Sequence, residues 1–298
     1  MRKIISSIFL LLTFSIISNA QTDSTKDVDI DAMLGGDQVP TKVFANNAFK
    51  SSRVVMGQSI EMLGAGVLDT RILHRFGVIK NGPADLFGLD YASMRIGLDY
   101  GIAKNLSIGI GRSTLDKEID GFVKYRFAHQ HSGVKAIPVS LLYVGGMASR
   151  KTTTSVGTDR LSYYHQLIVG RKFSNSFSLQ LSPTFVHQNY IGTLFTANDI
   201  VSIGIGTRYK LTQRMALVVD AFPLVYGTTS GQNIMPLSIG IDLETGGHVF
   251  QLHFSNARGM NERAYIAETT QRWDKAQFQF GFNLSRVFTI KENTKGSW

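Results

Sequence analysis

Apolar and polar residues alternate in many short segments of this chain, from about residue 64 to its end. Residues 94–100 read MRIGLDY, with an apolar side chain at every second position. The same rhythm occurs in residues 106–110, 177–181, 202–209, 237–241 and 250–254. Successive side chains of a β-strand point to opposite faces, so each segment has one apolar face and one polar face. The pattern predicts strands and leaves no room for helices in these stretches.

The predicted strands are long. We place twelve of them near residues 64–76, 91–101, 105–113, 117–128, 135–147, 160–172, 176–187, 199–210, 214–226, 236–244, 247–257 and 275–289. Most have roughly 9 to 14 residues, and about 9–11 suffice for a tilted crossing of a bilayer. Strands of soluble sandwiches more often have about five or six residues.

The connections between these strands alternate in length. Long polar links occupy residues 77–90, 148–159, 188–199 and 258–275, whereas tight turns fall at 103–105, 174–176, 212–214 and 245–247. Outer-membrane barrels have short periplasmic turns and longer external loops. The sequence therefore predicts an all-β fold, a transmembrane antiparallel up-and-down β-barrel of about 12 strands with that sidedness. An even number of strands keeps both termini on the periplasmic side.

The N-terminus has the layout of an export signal. Arg2 and Lys3 precede an apolar run over residues 4–17, and Ser18 and Ala20 supply the small residues of a cleavage site. The alternative, a transmembrane anchor, needs roughly 20 apolar residues, and this run is shorter. We predict a signal peptide at residues 1–20. No second long apolar run follows, which excludes a helical membrane protein, and the absence of cysteine excludes a lipoprotein and disulfides.

Three further regions follow this signal. Residues 21–50 contain five aspartates and no apolar periodicity, which predicts a flexible periplasmic segment. Residues 51–290 form the predicted barrel, and residues 291–298 form a polar C-terminal tail. Within the last strand, Gln279, Gly281, Phe282 and Leu284 resemble the C-terminal signal read by the barrel-assembly machinery. The chain departs from that signal because it continues past the strand to Trp298.

The formal charge of +9 is spread over the whole chain without a basic cluster. A nucleic-acid partner would require such a patch, so this class of function is excluded. Attraction to the anionic headgroups of outer-membrane lipids explains the charge better.

Four short motifs resemble a known family. They are residues 49–53 (FKSSR), 74–77 (HRFG), 87–90 (FGLD) and 124–126 (KYR). In this order they are similar to a membrane-bound β-barrel family of Bacteroidetes, known as domain of unknown function 5777. The similarity runs from about Phe49 to the end of the chain. It implies the barrel fold and no particular activity.

Charged residues on the polar phase of the strands are the first candidate site. A charge on the lipid face costs about 2–4 kcal/mol at the membrane midplane, so the polar phase must face the lumen. The expected lumen-lining charges are Arg95, Asp99, Asp120, Lys124, Arg126, Arg208 and Lys210. They can fill a narrow interior with salt bridges or line a small channel with a mild preference for anions. Their mixed signs favour a plugged or tight pore over a wide porin.

A second candidate is a mouth cluster of His74, Arg75, Phe76 and Asp90, where the first strand meets a long loop. One interpretation is a ligand-binding or gating cluster. The favoured interpretation is structural, with Arg75 paired to a carboxylate such as Asp90 or Asp99 and Phe76 in the aromatic girdle.

Enzymatic chemistry has little support in the sequence. A hydrolase would need a serine beside a histidine, and His74, His165, His187, His248 and His253 all lie on predicted strands. No G-x-S-x-G motif selects a pair among them. His129 and His131 share one strand face, but two ligands do not make a metal site. We expect no enzyme activity, no metal and no cofactor.

These observations predict an outer-membrane barrel that acts as a narrow channel or passive small-solute transporter. The alternative is a structural or docking barrel without a transport role, and an outer-membrane hydrolase ranks below both. The expected partners are outer-membrane lipids, the barrel-assembly machinery and a small solute. The substrate is not defined by the sequence.

Overall fold

A computed structural model of the chain describes residues 41–151, 157–190, 197–229, 233–245 and 248–291. The predicted signal peptide, most of the predicted flexible segment and all but the first residue of the predicted tail lie outside these ranges.

The wall is a closed antiparallel β-barrel of twelve strands, as the alternation predicted. Its strands are β2 (Val67–Val78), β3 (Ala92–Ala103), β4 (Leu106–Ser113), β5 (Ile119–Ala128), β7 (Ser140–Ser149), β8 (Leu161–Lys172), β9 (Phe177–Gln188), β10 (Asp199–Lys210), β11 (Met215–Ala221) with its continuation β12 (Leu224–Tyr226), β13 (Leu237–Glu244), β14 (His248–Ser255) and β15 (Gln279–Thr289). Each strand pairs with the next, and β15 pairs with β2 to close the barrel, with Phe288 opposite Leu68.

The ninth strand is interrupted between β11 and β12, both of which pair with β10. Pro223 stands in this gap, and a proline cannot donate a ladder hydrogen bond. The pairing shifts register at the same place.

Connections of different length gather at the two ends of the wall. Turns at residues 104–105, 173–176 and 211–214 define what we call the turn end, and links at 79–91 and 256–278 define the loop end. Two connections differ from the predicted alternation. The link at 114–118 is short although it lies at the loop end. The link at 129–139 is long because it carries β6 (His131–Gly133), which pairs with β1 (Lys42–Phe44).

The outer face of the wall is apolar. Large side chains exposed there include Ile96, Leu98, Ile110, Val123, Leu181, Ile205, Ile241 and Phe254. Their neighbours along each strand are buried on the inner face. An outward apolar band with alternating inward residues is the pattern of a barrel in lipid. In the described ranges, no helix is long and apolar enough to cross a membrane.

A re-entrant hairpin, here called the plug (residues 48–63), occupies the lumen. Ser59 N donates to Ser52 O and Val54 N donates to Gly57 O, both at 2.9 Å, so the chain turns back at residues 54–57. The plug enters at the turn end, after β1, and leaves at the same end to begin β2. Val54, Val55 and Met56 at its tip are at most 2% exposed.

The plug corrects two predicted boundaries. Within the predicted flexible segment, Lys42–Phe44 form a strand and Ala48 and Phe49 are buried, so this part is not a free periplasmic segment. Residues 51–64 lie inside the barrel and do not belong to its wall, which begins at Val67.

A second element closes the lumen from the loop end. Within the connection at 256–278, which we predicted to be a polar external link, helix α1 (Glu262–Ala267) is buried along its whole length. Asn261 caps it, since its Oδ1 accepts from Ala264 N at 2.9 Å. The helix lies against β8 and β9.

The interior has two chemically different sides. An apolar side, from β5 to β11, carries buried inward residues that include Phe122, Leu142, Val144, Tyr164, Ile168, Val186, Ile200 and Val218, and the plug packs on them. A polar side, from β13 through β15 to β4, carries Asp69, Arg71, Arg75, Arg95, Asp99, Gln251, His253 and Asn283. We expected polar residues on the whole inner face. The apolar side differs because these strands enclose a hydrophobic core and not water.

Candidate functional site

One wall carboxylate holds the tip of the plug. Asp220 Oδ2 on β11 accepts hydrogen bonds from the backbone N–H groups of Val55, Met56 and Gly57, at 3.2, 2.9 and 2.9 Å. Consecutive N–H groups around one oxygen form an anion-binding concavity. Hydrogen bonds to a charged acceptor are roughly twice as strong as neutral ones. The tip is therefore fixed by a charge of the wall.

Wall amides satisfy the remaining backbone groups of the plug. Gln180 accepts from Ile60 N at 3.0 Å and donates to Gln58 O at 2.6 Å. On the polar side, Gln251 Nε2 donates to Val54 O at 2.6 Å and Asn283 Nδ2 donates to Val55 O at 3.1 Å. Buried backbone groups need such partners. Side chains of the wall thus supply what a neighbouring strand would supply in a sheet.

Four of the seven expected lumen charges meet inside the barrel. Arg95 forms a bidentate pair with Asp120, Nε to Oδ1 at 2.8 Å and Nη2 to Oδ2 at 2.5 Å. Asp99 lies 3.3 Å from Arg71, which sequence reasoning did not include. Lys124 Nζ donates to the plug carbonyls of Ser52 and Glu61, at 3.2 and 2.8 Å.

The other three expected lumen charges lie apart from this group. Arg126 is at the turn end, where it donates to Asn105 Oδ1 and Lys104 O. Arg208 is buried in the interior, and Lys210 is half-buried in the last position of β10. The four charges that meet inside the barrel therefore neutralise one another or bind the plug, and the seven do not form a ring around an open pore.

Of the predicted mouth cluster, the structure brings together His74 and Phe76, whose ring centroids lie 4.4 Å apart, and it separates Arg75 and Asp90 from them. His74 and Phe76 point outward, and His74 stacks on Phe282 at 4.7 Å between ring centroids. Arg75 points inward, as strand alternation requires, and donates to Asn283 Oδ1 and not to Asp90 or Asp99. Asp90 is exposed in the loop. The carboxylate that organises this loop is Asp85, whose Oδ1 accepts from Gly88 N at 3.0 Å.

The plug also binds the lumenal helix. Arg53 Nη1 donates to Glu262 Oε1 at 3.0 Å, and both side chains are almost completely buried. On the same helix, Arg263 pairs with Glu118 at 2.6 Å and with Glu268 at 2.6 Å. Burial alone would raise the pKa of Glu268, but Arg263 and Arg150 together hold it below its usual value. Two elements that are far apart in sequence thus lock each other inside the barrel.

The histidines and the assembly signal have distinct positions. His165 contacts Tyr143 on the outer face, His187 lies 2.6 Å from Asp199 at the loop end, His248 lines a cavity at the turn end, and His253 is buried in the interior. His129 stacks on Phe44 of β1, and the His131 ring packs against Phe44 at a tilt. In the described part of the chain, no group of three or more possible ligands is arranged to hold a metal ion.

Of the assembly signal, Gln279 and Gly281 face inward whereas Phe282 and Leu284 face the outside of β15.

Cavities mark the two ends of the polar side. At the turn end, about 340 Å³ lies between the plug and the wall, lined by charged residues that include Lys50, Glu61, Asp69 and Glu244. At the loop end, about 180 Å³ is lined by Phe76, Gly77, Asn81, Tyr91 and Arg258, among others. Between them, Arg71, Leu73, Gln251 and Asn283 surround only about 10 Å³. A single water molecule needs about 10–15 Å³ of such space, so the constriction has room for about one water and none for a hydrated solute.

Solved structures with a similar fold are outer-membrane barrels of low sequence identity. The NanC porin is 6% identical, with 74% of this chain and 98% of that chain covered and a TM-score of 0.45. The KdgM porin is 9% identical, with 74% and 99% covered and a TM-score of 0.46. The translocator domain of the autotransporter NalP from Neisseria meningitidis is 14% identical, with 76% and 89% covered and a TM-score of 0.35. These values carry no information on what this chain binds or transports.

A comparison with curated proteins gives no match. A family model does match. The model described as a membrane bound beta barrel domain, domain of unknown function 5777, covers residues 49–288, and the chain therefore belongs to this family.

Proposed function

We propose that this protein is an outer-membrane barrel with a narrow pathway for a small solute, which its own plug holds closed. The observation that carries the proposal is the arrangement of two cavities at opposite ends of the polar side with a tight constriction between them. The pathway would run along β14, β15 and β2. Opening it requires a shift of the plug tip away from Gln251 and Asn283.

The asymmetry of the lumen supports a partial movement over a complete expulsion of the plug. On the apolar side, burial of each large side chain contributes about 1.5–3 kcal/mol, which opposes separation of plug and wall. On the polar side the contacts are hydrogen bonds, whose net contribution is about 0.5–1.5 kcal/mol each because water replaces them. The polar contacts are therefore the ones that open at the lower cost.

Location and export belong to the same proposal. The outward apolar band and the membership of a membrane-bound family support insertion among outer-membrane lipids. Export through a cleaved signal peptide at residues 1–20 and recognition of β15 by the barrel-assembly machinery complete it. Both rest on the sequence patterns described above.

A disulfide between plug and wall tests the proposal in the full chain, which contains no native cysteine. A Cβ built at Gly206 would lie 3.0 Å from Val54 Cγ2, about where the sulfur of a cysteine at position 54 would lie, so Val54→Cys with Gly206→Cys can form a disulfide. The bond would fix residue 54, whose carbonyl oxygen accepts from Gln251, and so hold the tip against the shift that opens the pathway. In planar bilayers we expect no conductance from the oxidised variant and discrete openings after reduction. The single variants, which cannot form the bond, serve as matched controls.

Two results would count against this pathway. Equal conductance in the oxidised and reduced states would show that current does not depend on movement of the plug. Absence of any conductance or solute flux in the native, oxidised and reduced proteins would favour the second candidate function.

That second candidate is a docking barrel, and the loop between β2 and β3 favours it. Leu86, Phe87, Leu89 and Tyr91 are more than half exposed there. Leu86 and Phe87 also have φ of 50° and 57°, in the left-handed region that residues other than glycine rarely adopt. Asp85 fixes this backbone. If a partner docks here, Leu86→Ser with Phe87→Ser should abolish its capture and leave conductance as in the native protein.

A further inference from the structure

One fully buried arginine lacks a carboxylate partner. Five arginines of the described residues are exposed by 2% or less: Arg53, Arg71, Arg75, Arg95 and Arg263. Four of them form ion pairs with aspartate or glutamate. Arg75 donates only to two neutral oxygens, His74 O and Asn283 Oδ1, both at 3.0 Å from Nη1. Its Nε and Nη2 have no hydrogen-bond partner within the described ranges.

A buried histidine with free ring nitrogens lies beside it. His253 on β14 is 1% exposed, and neither Nδ1 nor Nε2 has a partner among the residues described. Gly281 on β15 lies between the two side chains. A Cβ built there would be 2.5 Å from His253 Nε2 and 2.9 Å from Arg75 Cδ. The missing side chain at Gly281 lets the imidazole approach the arginine, so both groups face one small region of the interior.

Nearby acceptors do not balance the charge of Arg75. Asp220 is the carboxylate that acts on it most strongly, but its Oδ2 already accepts three backbone N–H groups of the plug. The Asn283 amide group donates to Val55 O and to Gln251 Oε1. An uncompensated buried charge and a buried donor without an acceptor both destabilise the folded state. Two unbonded donors of one guanidinium beside an unbonded imidazole thus indicate an acceptor of negative charge.

We propose that Arg75 and His253 bind a small inorganic anion of the size of chloride or bromide inside the barrel. Arg75 Nε–H and Nη2–H and the ring N–H at His253 Nε2 would donate to it. Both side chains approach a Cβ built at Gly281, His253 Nε2 to 2.5 Å and Arg75 Cδ to 2.9 Å, and this crowding suits a monatomic anion better than a sulfate or an organic acid. The site goes beyond the proposed pathway and stands whether or not the barrel conducts.

Equilibrium binding to the intact barrel tests this site independently of any current. The full-length protein in detergent is titrated with sodium bromide, with sodium gluconate replacing it to keep the ionic strength constant. The unfolding temperature is measured by heat-modifiable gel migration. We expect it to rise saturably with bromide, because a ligand that binds only the folded state stabilises that state. In Arg75→Gln the apparent affinity should fall by about tenfold or more, which corresponds to loss of the hydrogen bonds to a charged partner.

The matched control is Arg171→Gln, an exposed arginine on the outer side of β8 that should leave the titration unchanged. Crystals of the native protein soaked in bromide provide a second measurement, which does not depend on the folding of a variant. An anomalous peak within hydrogen-bond distance of Arg75 and His253 is the expected result. The proposal is overturned if native crystals show no peak there, or if Arg75→Gln retains the bromide dependence of the native protein.

Discussion

Replacing Asp220 by asparagine should loosen the tip of the plug and leave the wall intact. The substitution keeps the shape of the side chain and removes the charge that accepts three backbone N–H groups. A hydrogen bond to a charged acceptor contributes about 1 kcal/mol more than a neutral one. The loss over three such bonds is about 3 kcal/mol. The neutral asparagine is easier to bury than the carboxylate, and this offsets part of the loss. We expect a net loss of about 2 kcal/mol in the local free energy of opening.

Hydrogen exchange measured by mass spectrometry reports this loss directly. About 2 kcal/mol corresponds to an approximately 30-fold faster exchange of the amides of residues 55–57. The amides of the strands should keep their protection. The matched control is Asp120→Asn on β5, because Asp120 is also buried and accepts from Arg95 of the wall, with no hydrogen bond to the plug. Unchanged exchange at residues 55–57, or equal acceleration in Asp120→Asn, would refute the role of Asp220 as the anchor.

Two further predictions concern the wall and the turn end. In Gly111→Ala the new methyl group would lie 2.1 Å from Arg95 Nη2, so we expect the free energy of unfolding to fall by about 1–3 kcal/mol. The control Gly121→Ala, whose methyl group has no atom nearer than 3.4 Å, should lower it by less than about 1 kcal/mol. Heat-modifiable gel migration measures both variants. Burial, together with Arg126, lowers the pKa of His129, whose Nε2–H donates to Ala45 O at 3.1 Å. The folded state therefore favours the neutral ring. The neutral ring contributes its full stabilisation above the unfolded pKa of about 6.5, and this contribution is lost as the pH falls below that value. Proteolysis of residues 41–47 should accelerate between pH 7 and pH 5 in the native protein and stay constant in His129→Gln.

The wall was predictable from sequence because period two is a local signal. Residues 94–100 show which side chains of β3 face lipid, and no distant part of the chain is needed to read them. The same alternation also shows why the predicted mouth cluster does not form. His74 and Phe76 share one phase and Arg75 has the other, so the three cannot meet on one face of β2.

The plug was not predictable because its partners are distant in sequence. Ile60 N bonds to Gln180, 120 residues away, and Asn283 bonds to Val55 across 228 residues. Nothing in residues 48–63 alone indicates that they enter a lumen. One signal was available in β7, where residues 140–149 (SLLYVGGMAS) are apolar on both phases. Such a strand needs an apolar partner on its inner face, which a water-filled pore does not provide.

The buried helix α1 at the loop end could not be predicted for a related reason. Residues 258–275 contain charges, and a charged link is normally solvated. Here Glu262 and Arg263 are buried because Arg53, Glu118 and Glu268 neutralise them. Pairing of this kind depends on the closed barrel and has no local signature.

The plug is a hairpin, and both of its ends lie at the same opening of the barrel. Met56 at its tip contacts Ser255, the last residue of β14, at the loop end of the wall. The tip thus lies deep in the barrel while neither end of the hairpin passes to the other side. Between residues 41 and 67, the chain does not pass through the barrel from one opening to the other, so insertion and withdrawal of the plug require no break in the twelve-stranded wall. Entry can precede or follow the pairing of β15 with β2.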